Sequence, residues 1–224
     1  MFERYAIFYC PSGALAQFGA AWLGWDNGAG HAVHHPPLDI PDIAAMTAKP
    51  RRYGLHATLK APFHLRHGKS PDDLYQIAQD FAAHTPAVDL GRLALRYENG
   101  FIALRPLADQ PALRALAAAV VRQFDPLRAP LEEAAIAQRR KARLSARQDA
   151  QMLEWGYPYI FDDYHFHLTL TGRIKPAQAQ TVMDGLAPQV MPLLPDPHLM
   201  DAITIMGQDA QGMFHQVERF ALIS

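Results

Sequence analysis

Twice in this chain a histidine, one intervening residue and a threonine sit inside an apolar run: His56-Ala57-Thr58-Leu59 within GLHATLKAPFHL, and His167-Leu168-Thr169-Leu170 within YHFHLTLTGRI. Threonine and its branched and aromatic neighbours favour strands. In a strand alternate side chains share a face, so each histidine points with its threonine into the same space. The spacing predicts two motif strands, about 55–65 and 165–174, lining one pocket with two imidazoles and two hydroxyls. A chain built this way must bring together two segments far apart in sequence, which favours a fold that repeats a strand-containing unit.

The stretches between the motifs support such a repeat. ERYAIFYC reads as a first strand, followed by Ser12 as a helix cap and an apolar-periodic helix LAQFGAAWLGWD that ends near Asn27-Gly28. His31 to Pro50 carries several prolines and little periodicity, so a loop is expected. Ser70-Pro71-Asp72-Asp73 opens a helix to about Ala83, with a cap, a proline in the first turn and acids at the positive end of the dipole. VDLGRLALRYENGFIALRPL predicts a hairpin turning at Glu98-Asn99-Gly100. ALRALAAAVVRQF is a helix stopped by Asp125-Pro126, and 127–152 has a basic, helix-like composition. A helix from Pro176 to about Leu186 and two strands, LMDAITIMGQ and MFHQVERFALIS, close the chain. A motif strand, a helix and a hairpin follow one another twice, as in a diverged duplication. The expected fold is α+β: two pseudo-symmetric lobes forming a single domain over 1–224, each with an antiparallel sheet and flanking helices, with the active cleft between them.

With 224 residues, half of them hydrophobic, the chain can bury a substantial core. A net charge of -1 gives no global attraction for double-stranded nucleic acid or acidic lipid, so an anionic ligand must be met by a local cluster. The single cysteine, Cys10, excludes an intramolecular disulfide framework. MFERYAIFYCPSG is too briefly apolar for a secretory signal or membrane span, and a soluble cytoplasmic protein is expected.

Two histidines on opposite sides of a phosphate suit acid/base chemistry, because an imidazole with a pKa near 6.5 populates both forms at neutral pH. His56 and His167 are therefore the candidate catalytic pair, with either one as acid or base. Thr58 and Thr169 would donate to the non-bridging oxygens. Lys60 shares the face of His56 if its strand runs straight, and either adds charge at the phosphate or reaches solvent. His165 and Thr171 share the face of His167. A metal reading pairs His165 with His167 and completes the site with His56 or with Asp162 or Asp163; it leaves the threonines without a role, and the preferred reading needs neither metal nor cofactor. The basic run QRRKARLSARQ (Arg139, Arg140, Lys141, Arg143 and Arg147) is either a solvated face or a lid. Arg143 and Arg147, one turn apart on a helix, would share a face. Tyr53, Trp155, Tyr157 and Tyr159 are either core or stacking surface for a base or sugar.

The two motifs, their flanks RRYGLHATLKAPFHL and WGYPYIFDDYHFHLTLTG, and the overall length resemble the two-histidine (2H) phosphoesterase superfamily. The closer likeness is to its phosphonate-metabolism branch, whose members accompany the carbon-phosphorus lyase system. The resemblance implies a bilobal fold and a metal-free phosphodiesterase or cyclic phosphodiesterase activity. It implies as substrate a small phosphorylated metabolite such as a ribose cyclic phosphate from phosphonate breakdown, with nucleoside 2',3'-cyclic phosphates and RNA ends as alternatives. A non-catalytic module binding a phosphometabolite or RNA end in the same cleft is the competing function.

Overall fold

The computed structural model describes residues 2–223. Its strands are β1 (Arg4–Tyr9), β2 (Trp25–Asp26), β3 (His31–Ala32), β4 (Ala57–Phe63), β5 (Val88–Asp89), β6 (Leu93–Glu98), β7 (Phe101–Pro106), β8 (Leu168–Thr169), β9 (Leu199–Met200), β10 (Ala202–Gln208) and β11 (Phe214–Ala221). Its helices are α1 (Gly13–Leu23), α2 (Ile43–Arg51), α3 (Pro71–Ala83), α4 (Pro111–Phe124), α5 (Glu133–Arg140), α6 (Ala146–Trp155) and α7 (Pro176–Val190). The fold is α+β, with antiparallel pairing within the sheets.

Two sheets carry the architecture. One runs β11-β10-β1-β4 and the other β6-β7-β8. In each, the motif strand lies at an edge, β4 beside β1 and β8 beside β7. Helices α3 and α4 pack on the first sheet and α7 on the second. One apolar cluster joins Ile7, Leu59 and Phe124 on the first side to Leu104, Leu168 and Leu186 on the second, so both sheets close over the same core.

Local chemistry explains most boundaries. Ser70 and Asp73 form a reciprocal capping box that starts α3. Asn99 and Gly100 take φ of 56° and 86°, the two left-handed residues of a tight turn matched to strand twist. The first helix stops at Gly24, whose φ of 80° closes it several residues before the expected Asn27-Gly28. The expected loop 31–50 contains α2, because its prolines lie before the helix and in its last turn, at Pro50, rather than in its middle. The helix α7 runs on to Val190, beyond the expected Leu186, with Pro188 in its final turn.

The second motif strand is much shorter than expected. Only Leu168–Thr169 pair with β7 in ladder register; the next two N–H groups, of Leu170 and Thr171, both converge on the Ile102 carbonyl of β7, and other backbone groups turn to the helices. Trp22 Nε1 of α1 donates to the Leu170 carbonyl at 2.7 Å, and the Gly172 N–H donates to the Met46 carbonyl of α2 at 2.7 Å. Helices α1 and α2 therefore pin the end of this motif.

Candidate active site

His56 stands immediately before β4, and its Nδ1 lies 3.0 Å from the Gly54 carbonyl oxygen. A carbonyl only accepts, so Nδ1 carries the proton and Nε2 of the neutral ring presents a lone pair. The Thr58 hydroxyl, 3.3 Å from Nε2, donates to it. The second motif repeats the device: His167 Nδ1 donates to the His165 carbonyl at 2.8 Å. Each histidine is thus locked by the carbonyl two residues upstream, and the same ring nitrogen is left for chemistry in both copies.

Gly54 must be glycine for this. Its φ is 72°, and a Cβ there would fall 2.4 Å from Asn27 Nδ2, the group that donates to the neighbouring Tyr53 carbonyl at 3.0 Å. The ring of His56 packs against Phe8, with centroids 4.1 Å apart, and against Tyr53 at 5.4 Å. Tyr53 in turn stacks on Phe214 at 4.8 Å. Across the site, the edge of Phe101 meets His167 at 5.6 Å. Thr169 lies opposite Ala103 in the β7–β8 pairing, so it faces the same way as Phe101 and Arg105.

The family model described as "Protein of unknown function (DUF1045)" matches residues 58–215, a span that takes in Thr58, His167 and Thr169. The chain belongs to the DUF1045 family. Among curated proteins it is similar to a "Ribose 1,5-bisphosphate phosphokinase PhnN" of Janthinobacterium sp. (strain Marseille), 40% identical over 186 residues, covering 80% of this chain and 41% of that protein. A protein of the same name from Laribacter hongkongensis (strain HLHK9) is 36% identical over 173 residues, covering 76% of this chain and 40% of that one. The chain spans about two-fifths of the length of these curated relatives. Among solved structures, one titled "Crystal structure of phosphoesterase" has a TM-score of 0.46 at 14% identity, covering 99% of both chains. E. coli LigT complexed with NADP+ has 0.44 at 13%, covering 100% of this chain and 99% of that one.

In this DUF1045 chain both imidazoles are held towards the neutral form. Burial pushes His56 down to about 4, outweighing its carbonyl partner, and a proton on His167 would lower it further. Burial also lowers His167, with Arg105 and His165 adding to it. The unfolded His56, with an ordinary value of 6.5, takes up a proton at a pH where the folded one does not. Stability is therefore full above about pH 6.5 and is expected to fall as the pH drops towards 4. Urea denaturation at pH 7 and at pH 4.5 checks this: His56→Phe, which cannot take up that proton, should show a smaller loss between the two than the parent protein.

Lys60 does not share the face of His56. Along β4, Thr58 pairs with Phe8 but Lys60 with Ile7, so one step on β1 matches two on β4 and a bulge at Leu59 reverses the alternation. Lys60 is buried on the α4 side, where Nζ donates to Asp125 Oδ1 at 2.9 Å and to the Val121 carbonyl at 3.2 Å. Thr171 is also structural, its hydroxyl accepting the Ile102 N–H at 2.9 Å.

The basic segment is helical, as its composition suggests, but broken. Arg143 takes a φ of 54° between α5 and α6, so it and Arg147 do not lie on one helix. Arg147 is held by Asp163 at 2.8 Å and Arg140 by Asp149 at 2.7 Å. Arg139 lines a cavity of about 170 Å³ with Arg4, Lys60, Arg128, Trp155 and Tyr157. Tyr159 is exposed and meets Tyr157 edge-on. The metal reading finds no support in the geometry: among the described residues no group of three or more His, Cys, Asp and Glu side chains is placed to hold an ion, and Asp163 is engaged by Arg147 and Gln148.

Sequence reasoning missed Phe8, Phe214, Gly54 and Arg105. The signal for Arg105 was present, since it is the one charge inside the apolar strand FIALRP. No helix of the structure is long and apolar enough to cross a membrane among the described residues.

Proposed function

We propose that this chain hydrolyses a small cyclic phosphodiester by acid/base catalysis between His56 and His167. The observation that carries this reading is the identical anchoring of the two rings, each with its Nδ1 proton on the backbone carbonyl two residues upstream, which leaves Nε2 as the nitrogen for proton transfer. One Nε2 takes a proton from water as the water oxygen bonds to phosphorus. The other ring, protonated, gives its Nε2 proton to the departing alkoxide as the P–O bond breaks. The products are one phosphomonoester and one hydroxyl, and the proton count balances.

Both rings prefer to be neutral in the free protein, so the imidazolium forms with the substrate. A phosphodiester anion supplies the opposite charge that raises an imidazole pKa. The Thr58 hydroxyl, which donates to His56 Nε2 in the free site, turns to a non-bridging oxygen and releases the base, and Thr169 serves the other side. A ribose cyclic phosphate from phosphonate breakdown is the substrate the reading favours, and no metal or other cofactor takes part. With a net charge of -1 the protein is matched to a small metabolite and not to duplex nucleic acid. We place it in the cytoplasm.

The name of the two curated relatives specifies a phosphokinase, for proteins more than twice as long as the matched segment. Gly68-Lys69-Ser70 does sit between β4 and α3, as in a phosphate-binding loop, but position 63 is Phe where that loop has its first glycine. The Ser70 hydroxyl is also engaged in capping, accepting the Asp73 N–H at 3.2 Å.

The test offers chelator-treated protein a panel of ribose and nucleoside cyclic phosphates, followed by phosphorus NMR. Ring opening undiminished by the chelator is expected for at least one. Folded protein that binds these compounds and opens none of them would establish the binding module instead.

A further inference from the structure

We propose that Asn27 is a positioning residue for the first histidine: its side-chain amide fixes the Tyr53–Gly54 segment that aims His56, and so decides which nitrogen of that ring meets the substrate. The proposal deepens the phosphoesterase reading and rests on it for the reaction that His56 serves. Asn27 lies outside both His-x-Thr motifs and is buried.

The turn between β2 and β3 presents it. Asp26 Oδ1 accepts the Gly28 and Ala29 N–H groups at 2.9 Å each, and the Asp26 carbonyl accepts the Gly30 N–H at 2.7 Å. Asp26 thus satisfies the turn, and the Asn27 side chain reaches inward instead. Its Nδ2 donates to the Tyr53 carbonyl at 3.0 Å, and its Oδ1 accepts Gln216 Nε2 of β11 at 2.8 Å. A carbonyl only accepts, so the amide nitrogen is the end that faces Tyr53. The Asn27 carbonyl also accepts the Gln216 N–H at 2.7 Å, which ties the turn to β11.

What this amide holds is the base of the histidine anchor. The Gly54 carbonyl that accepts His56 Nδ1 belongs to a residue with a φ of 72°. Glycine adopts either sign of φ at little cost, so Gly54 by itself does not keep its carbonyl on the ring. Asn27 fixes the peptide immediately before it, and the Arg51 carbonyl accepts the Gly54 N–H at 3.1 Å. The amide is also seated against the glycine, where a Cβ would meet Asn27 Cγ at 2.7 Å. The same bond steadies one wall of the ring, since Tyr53 stacks on His56.

Free neutral histidine carries its proton mainly on Nε2. The hydrogen bond at one ring nitrogen sets the tautomer, and the Gly54 carbonyl draws the proton to Nδ1. Releasing Gly54 returns it to Nε2 and removes the lone pair through which that nitrogen accepts a proton. His167 is anchored separately, on the His165 carbonyl, whereas the hydrogen bonds of Asn27 go to Tyr53 and Gln216.

The experiment reads the imidazole tautomers by nitrogen NMR of isotope-labelled protein at neutral pH, alongside kinetics on the cyclic phosphate that the parent opens. Asn27→Leu keeps the side-chain volume and removes both of its bonds. The His56 proton should move to Nε2 while His167 keeps its own on Nδ1, and kcat should fall by roughly 10- to 100-fold, the cost of misplacing a reacting group. KM should change little, because the loss falls on the transition state. Gln216→Leu frees only the Asn27 oxygen and should shift both readouts the same way by less. A folded Asn27→Leu whose His56 keeps its Nδ1 proton, or in which both histidines lose it together, overturns the proposal. If Asn27→Leu does not fold, an unchanged His56 in Gln216→Leu overturns it. The nitrogen readout needs no turnover: a His56 proton that moves with Asn27 in a protein opening no cyclic phosphate would overturn the reaction instead.

Discussion

Replacing either His56 or His167 by alanine should lower turnover of a cyclic phosphodiester by about 10²- to 10⁴-fold, the usual contribution of a positioned general acid or base. The two losses should not multiply, since the rings serve opposite ends of one displacement and the double variant has little left to lose. His56→Asn refines the test. Its amide nitrogen can still donate towards the Gly54 carbonyl in place of Nδ1, 3.0 Å away in the parent, but nothing replaces Nε2. Loss of rate with folding preserved in that variant assigns the role to Nε2. Single-turnover rates with each variant, alongside thermal unfolding, make the distinction, and full activity in either alanine variant would refute the two-histidine mechanism.

The second large effect is on stability. Asp125 holds two buried cations, Lys60 at 2.9 Å and Arg128 at 2.8 Å, whose side chains are 4% and 10% exposed. Burial pushes Lys60 down, and Asp125 keeps it from falling further. Burial likewise pushes the Asp125 carboxyl up, but Arg128 and Lys60 together hold it below its ordinary value. Asp125→Ala leaves both cations desolvated without a partner and is expected to destabilise the fold by about 3–5 kcal/mol. For a chain of this size each kcal/mol moves the midpoint by about 2–4 °C, so the drop in Tm should exceed 6 °C, roughly the lower limit of that range. Lys60→Met should cost much less, because Asp125 retains Arg128 and the stem of Met fills the same space. Urea unfolding of both variants checks the order, and equal losses would contradict the shared-carboxylate arrangement.

Where sequence and local physics coincide, the chain is readable. The Asn99-Gly100 hairpin, the capped start of α3 and the apolar stripe of α4 depend on neighbours close in sequence, and each stands where its residues put it. The duplication of the His-x-Thr motif was legible as well, and each copy holds its histidine Nδ1 on the carbonyl two residues upstream. What failed depended on distant partners. Lys60 was misplaced because a bulge at Leu59 is specified by the match between β1 and β4 and leaves no mark in a straight period of two. The second motif strand was overextended because Trp22 and Met46, more than a hundred residues away, take its backbone groups. Arg143 and Arg147 were joined on one helix because composition does not reveal a left-handed residue in an arginine. Arg105 went unread because alternation in a hairpin gives two faces without saying which one meets the other sheet.

The histidine anchors also set a limit on what the protein can accept. In serine-protease triads a carboxylate stands behind the imidazole and stabilises the cation it becomes. Here each ring has a neutral peptide oxygen in that place. Each carbonyl favours its imidazolium, but burial outweighs it, so in the proposed reaction the charge that makes one ring an acid has to arrive with the substrate. A phosphodiester brings that charge and a neutral phosphotriester of the same shape does not. Discrimination between them is thereby built into the protonation step itself, and requires no pocket wall to exclude the uncharged compound.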